Sequence, residues 1–421
     1  MKAVNLPDSA GINSQGHLEI GGCDTLALAK EFGTPLYVID EQTVRRRCRQ
    51  YLESFRAHYP NTEVCFASKA LCTVGLSKLI ASEGVGFDVS SGGELYTVLK
   101  AGADPKKIYF HGNNKTPQEI EEGLHAGIGR FVVDNEAELS NLAHAVKKTG
   151  LQAHVMIRVN PGIEAHTHEF IQTGKIDSKF GVPLDQLDDF IKHVRSHAGI
   201  KLEGLHAHIG SQIFDVKPFV EEVKLLLRLV KQYGLKEINL GGGLGIAYLK
   251  QHEPPAIDHF AREIAQVLKG ETDAKLVVEP GRSIVGTAGV TLYTVGAVKK
   301  IPGIRTYAIV DGGMADNPRP ILYGAKYEAL VAGRPDENPE ETVTIAGRFC
   351  ESGDILVRDI KLPPLQAGDT LLVTCTGAYT YSMASNYNRV PRPAMVLVGN
   401  GRAAQIVRRE SYEDLVRNDA A

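Results

Sequence analysis

Lys69 ends a short apolar run, Val64-Cys65-Phe66-Ala67-Ser68-Lys69-Ala70, and an amphipathic stretch, 71–82, follows it. Apolar, β-prone residues running into a helical pattern read as a strand feeding a helix, which puts the amine where the strand ends. A lysine desolvated there by Phe66 and Leu71 can lose its proton and form a Schiff base with a carbonyl. Taken alone, Lys69 reads more readily as a lysine snorkelling from a helix start. Two further stretches supply complementary chemistry: Gly241-Gly242-Gly243 with Gly245 beyond it, and Glu279-Pro280-Gly281-Arg282. Glycines let backbone N–H groups approach an anion closely, so the pair points to a phosphorylated ligand. No P-loop lysine pattern accompanies them, which argues against a nucleoside triphosphate.

His206 and His208 alternate along one apolar run and face the same side, with Gly210-Ser211 after them. A zinc pair is one reading of His-x-His, but no further ligand set in the sequence completes such a site. The reading preferred is a planar His208 stacked on a cofactor ring, with His206 a barrel-interior histidine bonded to a neighbour. Lysine, phosphate cradle, stackable histidine and the carboxylate of Glu279 together describe a pyridoxal phosphate site. A carboxylate facing the pyridine nitrogen favours its protonated form, a strong electron sink for the carbanion left by decarboxylation.

These residues need a scaffold that gathers them. Short β-rich runs recur at 63–67, 85–89, 107–110, 130–133, 154–159, 202–209, 237–240 and 275–278, with helical patterns between them such as 117–125, 135–148, 218–232 and 258–268. Alternation of this kind predicts a parallel sheet, and eight strands suit an α/β fold of the closed (β/α)8 TIM barrel type, ahead of an open doubly wound sheet. Lys69, Asp88, His111, Asn113, Asp134, Asn160, His208, the triple glycine and Glu279 all fall at the carboxyl ends of these runs, which share one rim in a barrel. After Arg282 the runs 290–298, 306–310, 341–346, 369–375 and 394–398 come without long helices and with Gly/Pro-rich turns, so a mainly antiparallel β domain is expected. The domain reading is an N-terminal segment over 1–34 packing with that β domain, a cofactor-binding barrel over 35–285 and the β domain itself over 286–421.

Bulk properties narrow the function classes. At 421 residues, 43% hydrophobic and 23% charged, the chain reads as an ordinary soluble protein of two domains. A net charge of −3 gives no electrostatic reason to expect nucleic acid or an anionic membrane as partner. No window is apolar enough to span a bilayer and the start lacks a signal-peptide core, so a cytoplasmic location is expected. The six cysteines (Cys23, Cys48, Cys65, Cys72, Cys350 and Cys375) show no zinc or disulfide spacing; five read as small core hydrophobes and Cys350 as the exception.

The motifs Phe-Ala-Ser-Lys69-Ala, Asp88-Val-Ser-Ser-Gly-Gly-Glu94-Leu, His111-Gly-Asn-Asn, His206-Ala-His208-Ile-Gly-Ser211, Gly241-Gly-Gly, Glu279-Pro-Gly-Arg282, Cys350-Glu351-Ser-Gly-Asp354 and Gly377-Ala-Tyr379 resemble, in order, those of the fold-type III pyridoxal phosphate decarboxylases. The segments beginning Arg158-Val-Asn-Pro-Gly, Thr173-Gly-Lys-Ile-Asp and Met383-Ala-Ser-Asn-Tyr-Asn388 are similar to the diaminopimelate branch of that group rather than the ornithine branch. The resemblance implies decarboxylation of meso-diaminopimelate at its D-configured carbon to L-lysine and carbon dioxide, and a homodimer with shared active sites. It implies that Lys69 carries the cofactor, His208 stacks on its ring, Glu279 pairs with the ring nitrogen and Asp88 orients Lys69. Ser211, Gly243, Gly281, Arg282 and Tyr379 would surround the phosphate. Arg282, Arg319, Tyr323, Glu351 and Tyr379 match the substrate-contacting positions, and Cys350 matches the proton donor.

Around Lys69 the chain departs from the family's usual Tyr-Ala-x-Lys-Ala-Asn, having Phe66 and Leu71 at the two ends. The alternatives are a decarboxylase of the same fold acting on ornithine, arginine or carboxynorspermidine, a racemase, or a catalytically inactive regulatory homologue. A racemase needs a weaker electron sink than Glu279 provides. Borohydride reduction of the protein loaded with pyridoxal phosphate is expected to fix the label on the peptide that carries Lys69; label elsewhere, or none, overturns the assignment.

Overall fold

The computed structural model describes residues 5–163 and 178–420. Half of the motif segments 158–168 and 173–181, residues 164–168 and 173–177, lies outside the described residues. The chain divides into two compact units, one of Arg47–Gly245 with Glu253–Ser283 and one of Met1–Arg46, Ile246–His252 and Ile284–Ala421.

The first unit is a closed barrel of eight parallel strands: Thr62–Ala67, Gly86–Val89, Ile108–Phe110, Arg130–Val133, Ala153–Asn160, Ile200–His206, Glu237–Asn239 and Lys275–Val278. Each pairs with the next, and the eighth returns to the first with Leu276 opposite Thr62. The strands are apolar almost throughout because helices cover their outer face while side chains fill the interior. Cys65, Tyr109, Val132, Met156 and Val277 form one such interior cluster. Local chemistry sets the helix ends. Thr116, Pro117 and Glu119 make a capping box that starts Pro117–Ala126, and Gly127 ends it at φ 64°. Asn135 caps Glu136–Thr149, and Gly150 closes it at φ 72°.

At the amino end of the strands the barrel interior is closed by charge. Arg130 grips Glu237 in a fork, Nε to Oε2 at 2.8 Å and Nη2 to Oε1 at 2.5 Å. Lys275 Nζ lies 2.9 Å from the same Glu237 and 3.0 Å from Glu63. Tyr109 donates to Glu63 at 2.8 Å. Few of the charges there lack a partner, which suits a structural floor and leaves the opposite rim for chemistry.

The second unit is built on one long strand, Gly289–Ile301, which pairs antiparallel with Arg305–Val310, with Thr370–Val373 and with Leu36–Asp40. Most pairings in this unit are antiparallel, as expected, but Arg305–Val310 runs parallel to Glu341–Ala346 and Leu36–Asp40 runs parallel to Ala394–Gly399. The boundary read at 34/35 falls early in the structure. Leu36–Asp40 is hydrogen-bonded into this sheet and Leu36 and Val38 are buried in its core with Val290, Leu372 and Val396. The run looks like a barrel strand because it too is buried on both faces, and burial alone does not say which sheet a strand joins. Strands Ala329–Val331, Ile355–Leu362 and Arg402–Val407 were not read from the sequence; Ile355–Leu362 mixes Arg358, Asp359 and Lys361 into its run. The stretch 332–340 is exposed only from Asp336 on, since Ala332 is buried and donates to Thr370 O at 2.9 Å. Among the described residues no helix is long and apolar enough to cross a membrane.

Candidate active site

Glu279 follows directly on the eighth strand and is buried. Its Oε1 accepts from Asn239 Nδ2 at 2.6 Å and pairs with His111 Nε2 at 2.8 Å. His206 Nε2 stands 3.5 Å from Oε2. An ionised carboxylate only accepts, so Nε2 of His111 carries the proton. Burial by itself raises the Glu279 carboxyl, but His111, followed by the hydrogen bond from His206, outweighs it and holds the group well below the usual carboxylate range. Burial pushes His206 down to about 3, so that imidazole is neutral despite its carboxylate neighbour. Asn239 is itself aimed by its own loop, Oδ1 accepting from Gly241 N at 2.8 Å.

The spacing of His206 and His208 hid one part of this arrangement. His111, His206 and Glu279 place ligand-capable atoms within 4.8 Å of one another, a set contributed by three separate strand ends. The structure also ends the sixth strand at His206, so His208 stands in the loop beyond it and not further along the strand. There it lies against Gly241, where at φ 58° a Cβ would come 2.8 Å from His208 Nδ1. Desolvation, followed by the charges of Lys69 and Arg158, holds His208 well below its usual value, giving the neutral planar ring that stacking requires.

The phosphate-type loops converge on the same rim. Gly243, at φ 122°, leaves no room for a side chain because a Cβ would sit 2.5 Å from Gly210 O. Ile213 N donates to Gly243 O at 3.0 Å, zipping the loops after strands six and seven. Arg282 Nη2 donates to Ser211 Oγ at 3.0 Å and ties in the loop after strand eight. Gly281 packs against Ala67 and Ala70, on either side of Lys69. A backbone cradle with one buried guanidinium, beside an anionic carboxylate held by two donors, fits the phosphate and the ring nitrogen of pyridoxal phosphate.

Lys69 departs from expectation in one respect. It occupies the single turn Ser68–Ala70, which buries Ser68 and Ala70 and leaves Lys69 exposed. Phe66 and Leu71 do not desolvate it: both are buried, Phe66 edge-on to Phe87 at 6.5 Å. The charge of Lys69 nonetheless reaches Asp88, Glu94 and His208. Asp88 is buried with Oδ1 3.7 Å from His111 Nε2; its carboxyl is raised by burial, with His111 acting the other way.

Four contributors to the rim were not assigned as site residues from the sequence: Asn239, His111, Arg158 and Glu94. Arg158 lies near the carboxyl end of the fifth strand, buried, 4.0 Å from Asp134 and over the Phe180 ring at 4.3 Å. Polar residues at the ends of apolar runs were the available signal for Asn239, His111 and Arg158. Behind them Lys115 is a buried strut. Its Nζ donates to Gly112 O at 2.9 Å, Val132 O at 2.9 Å and Glu138 Oε1 at 2.6 Å, while Glu138 Oε2 accepts from Asp134 N at 3.0 Å.

The second unit holds the remaining sequence-derived residues. Arg319 is buried, donates to Tyr327 OH at 2.6 Å and lies over the Tyr248 ring at 4.8 Å. Tyr379, half-buried at φ 59°, is near enough to favour the Arg319 charge. Tyr323 ends the helix Arg319–Tyr323 and is half-buried. Cys350 and Glu351 are exposed on one loop, where Asn388 Oδ1 accepts from Cys350 N at 2.9 Å.

A family model described as the pyridoxal binding domain of pyridoxal-dependent decarboxylases matches residues 41–286. A diaminopimelate decarboxylase from Synechocystis is 48% identical to this chain, the match covering 98% of the chain and 92% of the relative. One from Bacillus subtilis is 47% identical, with 97% and 96% covered. The crystal structure of the diaminopimelate decarboxylase from M. jannaschii in complex with L-lysine is similar with a TM-score of 0.93, at 36% identity, over 100% of this chain and 99% of that one.

Glu94 makes the rim sensitive to pH. Burial, aided by Asp88 and opposed by the Ser90 amide at 2.7 Å, pushes its carboxyl up to about 7. Between its ordinary value and 7 the folded chain keeps a proton that the unfolded chain has lost, so this group makes the fold less stable as pH rises through that window. In denaturant titrations of the cofactor-free protein, Glu94→Gln is expected to lose the part of the pH slope that wild type shows there. An unchanged slope would contradict this assignment.

Proposed function

The chain belongs to the diaminopimelate decarboxylases within the pyridoxal-dependent decarboxylase family, and on that premise we propose how its residues divide the work. The reaction is the pyridoxal phosphate-dependent decarboxylation of meso-2,6-diaminopimelate to L-lysine and carbon dioxide, the last step of lysine biosynthesis. The observation that carries the reading is the ionised Glu279, held by Asn239 and His111 on a rim that also presents Lys69 and a neutral His208.

Pyridoxal phosphate supplies an aldehyde that condenses with amines and a protonated ring that accepts the electron pair released with carbon dioxide. Lys69 would be its point of attachment, and Asp88, which feels the Lys69 charge, would orient that amine. Glu279 keeps the proton on the ring nitrogen, and its Oε1 is already committed to two donors, which limits how far the group can turn. His208, a neutral planar ring, would pack against the cofactor ring. Ser211, Gly243, Gly281, Arg282 and Tyr379 hold the phosphate. Arg319 and Glu351 take the distal carboxylate and ammonium of the substrate, with Arg282, Tyr323 and Tyr379 completing that pocket. Cys350 delivers a proton to the α-carbon; an unperturbed thiol, with a pKa of about 8.5, is a competent acid near neutral pH.

The site is completed in a homodimer, each barrel rim receiving Cys350 from the partner. Two observations support this. Within the barrel unit burial raises Cys65 well above the usual thiol range and Cys72 to about 12. Cys350 alone among the six cysteines is exposed, and the exposed apolar Ile321, Leu322 and Tyr387 belong to its own unit. A cytoplasmic location accords with six free thiols.

Purified protein given pyridoxal phosphate and separated diaminopimelate isomers is expected to release lysine and carbon dioxide from the meso form; turnover of ornithine or arginine instead would replace the substrate assignment. Mixing Lys69→Ala and Cys350→Ala proteins under subunit exchange should restore about a quarter of wild-type activity, since half the dimers are mixed and each has one intact site. No recovery after verified exchange would rule out the shared site.

A further inference from the structure

Asp354 closes the loop that carries Cys350 and Glu351, and it is buried at 3% exposure. Both of its carboxylate oxygens are committed to backbone amides from two different loops. Oδ2 accepts from Phe349 N at 2.9 Å, one residue before Cys350. Oδ1 accepts from Met314 N at 2.7 Å, in the turn that leads into the helix Arg319–Tyr323. The backbones reinforce the link, Arg348 N donating to Gly312 O at 3.0 Å and Gly347 N to Asp354 O at 2.9 Å. Space for the carboxylate comes from two glycines: a Cβ on Gly313 would lie 2.4 Å from Oδ1, and one on Gly347 2.1 Å from Oδ2. The Met314 turn is braced on its other side by Asp316, which accepts from Gly313 N at 2.8 Å and Tyr293 OH at 2.5 Å.

We propose that Asp354 is a positioning residue whose single carboxylate sets both the loop of the proton donor, Cys350, and the loop of the distal clamp, Arg319. An amide of similar shape cannot replace it, because two N–H groups converge on the side chain and only an ionised carboxylate offers an acceptor to each. Loosening Asp354 therefore weakens the clamp and the donor together. The inference rests on the roles assigned above to Arg319 and Cys350.

The test uses holoenzyme of Asp354→Ala, measuring KM and kcat for meso-diaminopimelate, the rate of Cys350 alkylation by iodoacetamide, and cofactor absorbance. KM is expected to rise and kcat to fall roughly tenfold each, the usual scale for removing a group that orients a functional residue. The alkylation rate should change severalfold while cofactor loading stays at the wild-type level, since Asp354 lies outside the barrel unit. A shift in only one of KM and alkylation, or in neither, overturns the proposal, as does a loss confined to cofactor content and melting temperature. Should Asp354→Ala fail to fold, hydrogen exchange of the wild-type holoenzyme decides. Met314 and Phe349 amides opening together support the link, and protection differing by more than about tenfold refutes it. Arg319→Met and Cys350→Ala run alongside separate the two levels of inference. Wild-type kcat/KM in both removes the functional roles, whereas their inactivity beside an unaltered Asp354→Ala removes the crosslink.

Discussion

The structure turns on keeping one carboxylate charged in a dry place. Glu279 is almost fully buried at the top of the barrel, where an isolated charge would take up a proton rather than persist. It stays ionised because Asn239, His111 and His206 reach it from the seventh, third and sixth strands. Those three donors bind the registers of separate strands to a single side chain. A slip of one residue in any of them would turn its donor toward the surrounding helices and leave the charge unpaired. The same network produces the electronics, since a permanently ionised partner is what holds a pyridine nitrogen in its protonated form.

The two ends of the barrel solve their polar bookkeeping in opposite ways. At the amino end Arg130, Glu237, Lys275, Glu63 and Tyr109 satisfy one another directly. At the carboxyl end the fixed pairs lie a layer behind the rim. Lys115 spends its three protons on Gly112, Val132 and Glu138, fastening the segment that follows His111 to the fourth strand and the helix after it. The glycines at 243 and 281 bring backbone close to the rim, leaving the N–H groups to meet an anion in place of a side chain.

Legibility followed the length scale of the physics. Strand and helix positions in the barrel were readable because each depends on local periodicity and capping: the helix Pro117–Ala126 matches the stretch 117–125, and the eight strands lie within a few residues of their apolar runs. The boundary at 34/35 left Leu36–Asp40 on the barrel side because its pairing partners are remote, and Ile355–Leu362 was missed because edge strands with charged residues carry a weak apolar signal. The exposure of Lys69 was misjudged for a related reason, since one turn of backbone beyond the strand decides which of Ser68, Lys69 and Ala70 faces inward.

By its residue types and order alone the chain determined the chemistry: an amine at a strand end, a stackable histidine, an acid and two glycine loops arranged around a repeated strand–helix rhythm. It also determined the barrel, because eight apolar runs with helices between them have few other ways to bury both faces. Only the tertiary structure decided which groups tune those residues. His111 and Asn239 around Glu279, Glu138 behind Lys115, and Asp354 between two loops are pairings of residues far apart in sequence. Hydrogen bonds and charge act over a few ångströms of space, whatever the number of residues between the partners, and the closure of the fold is what sets those distances.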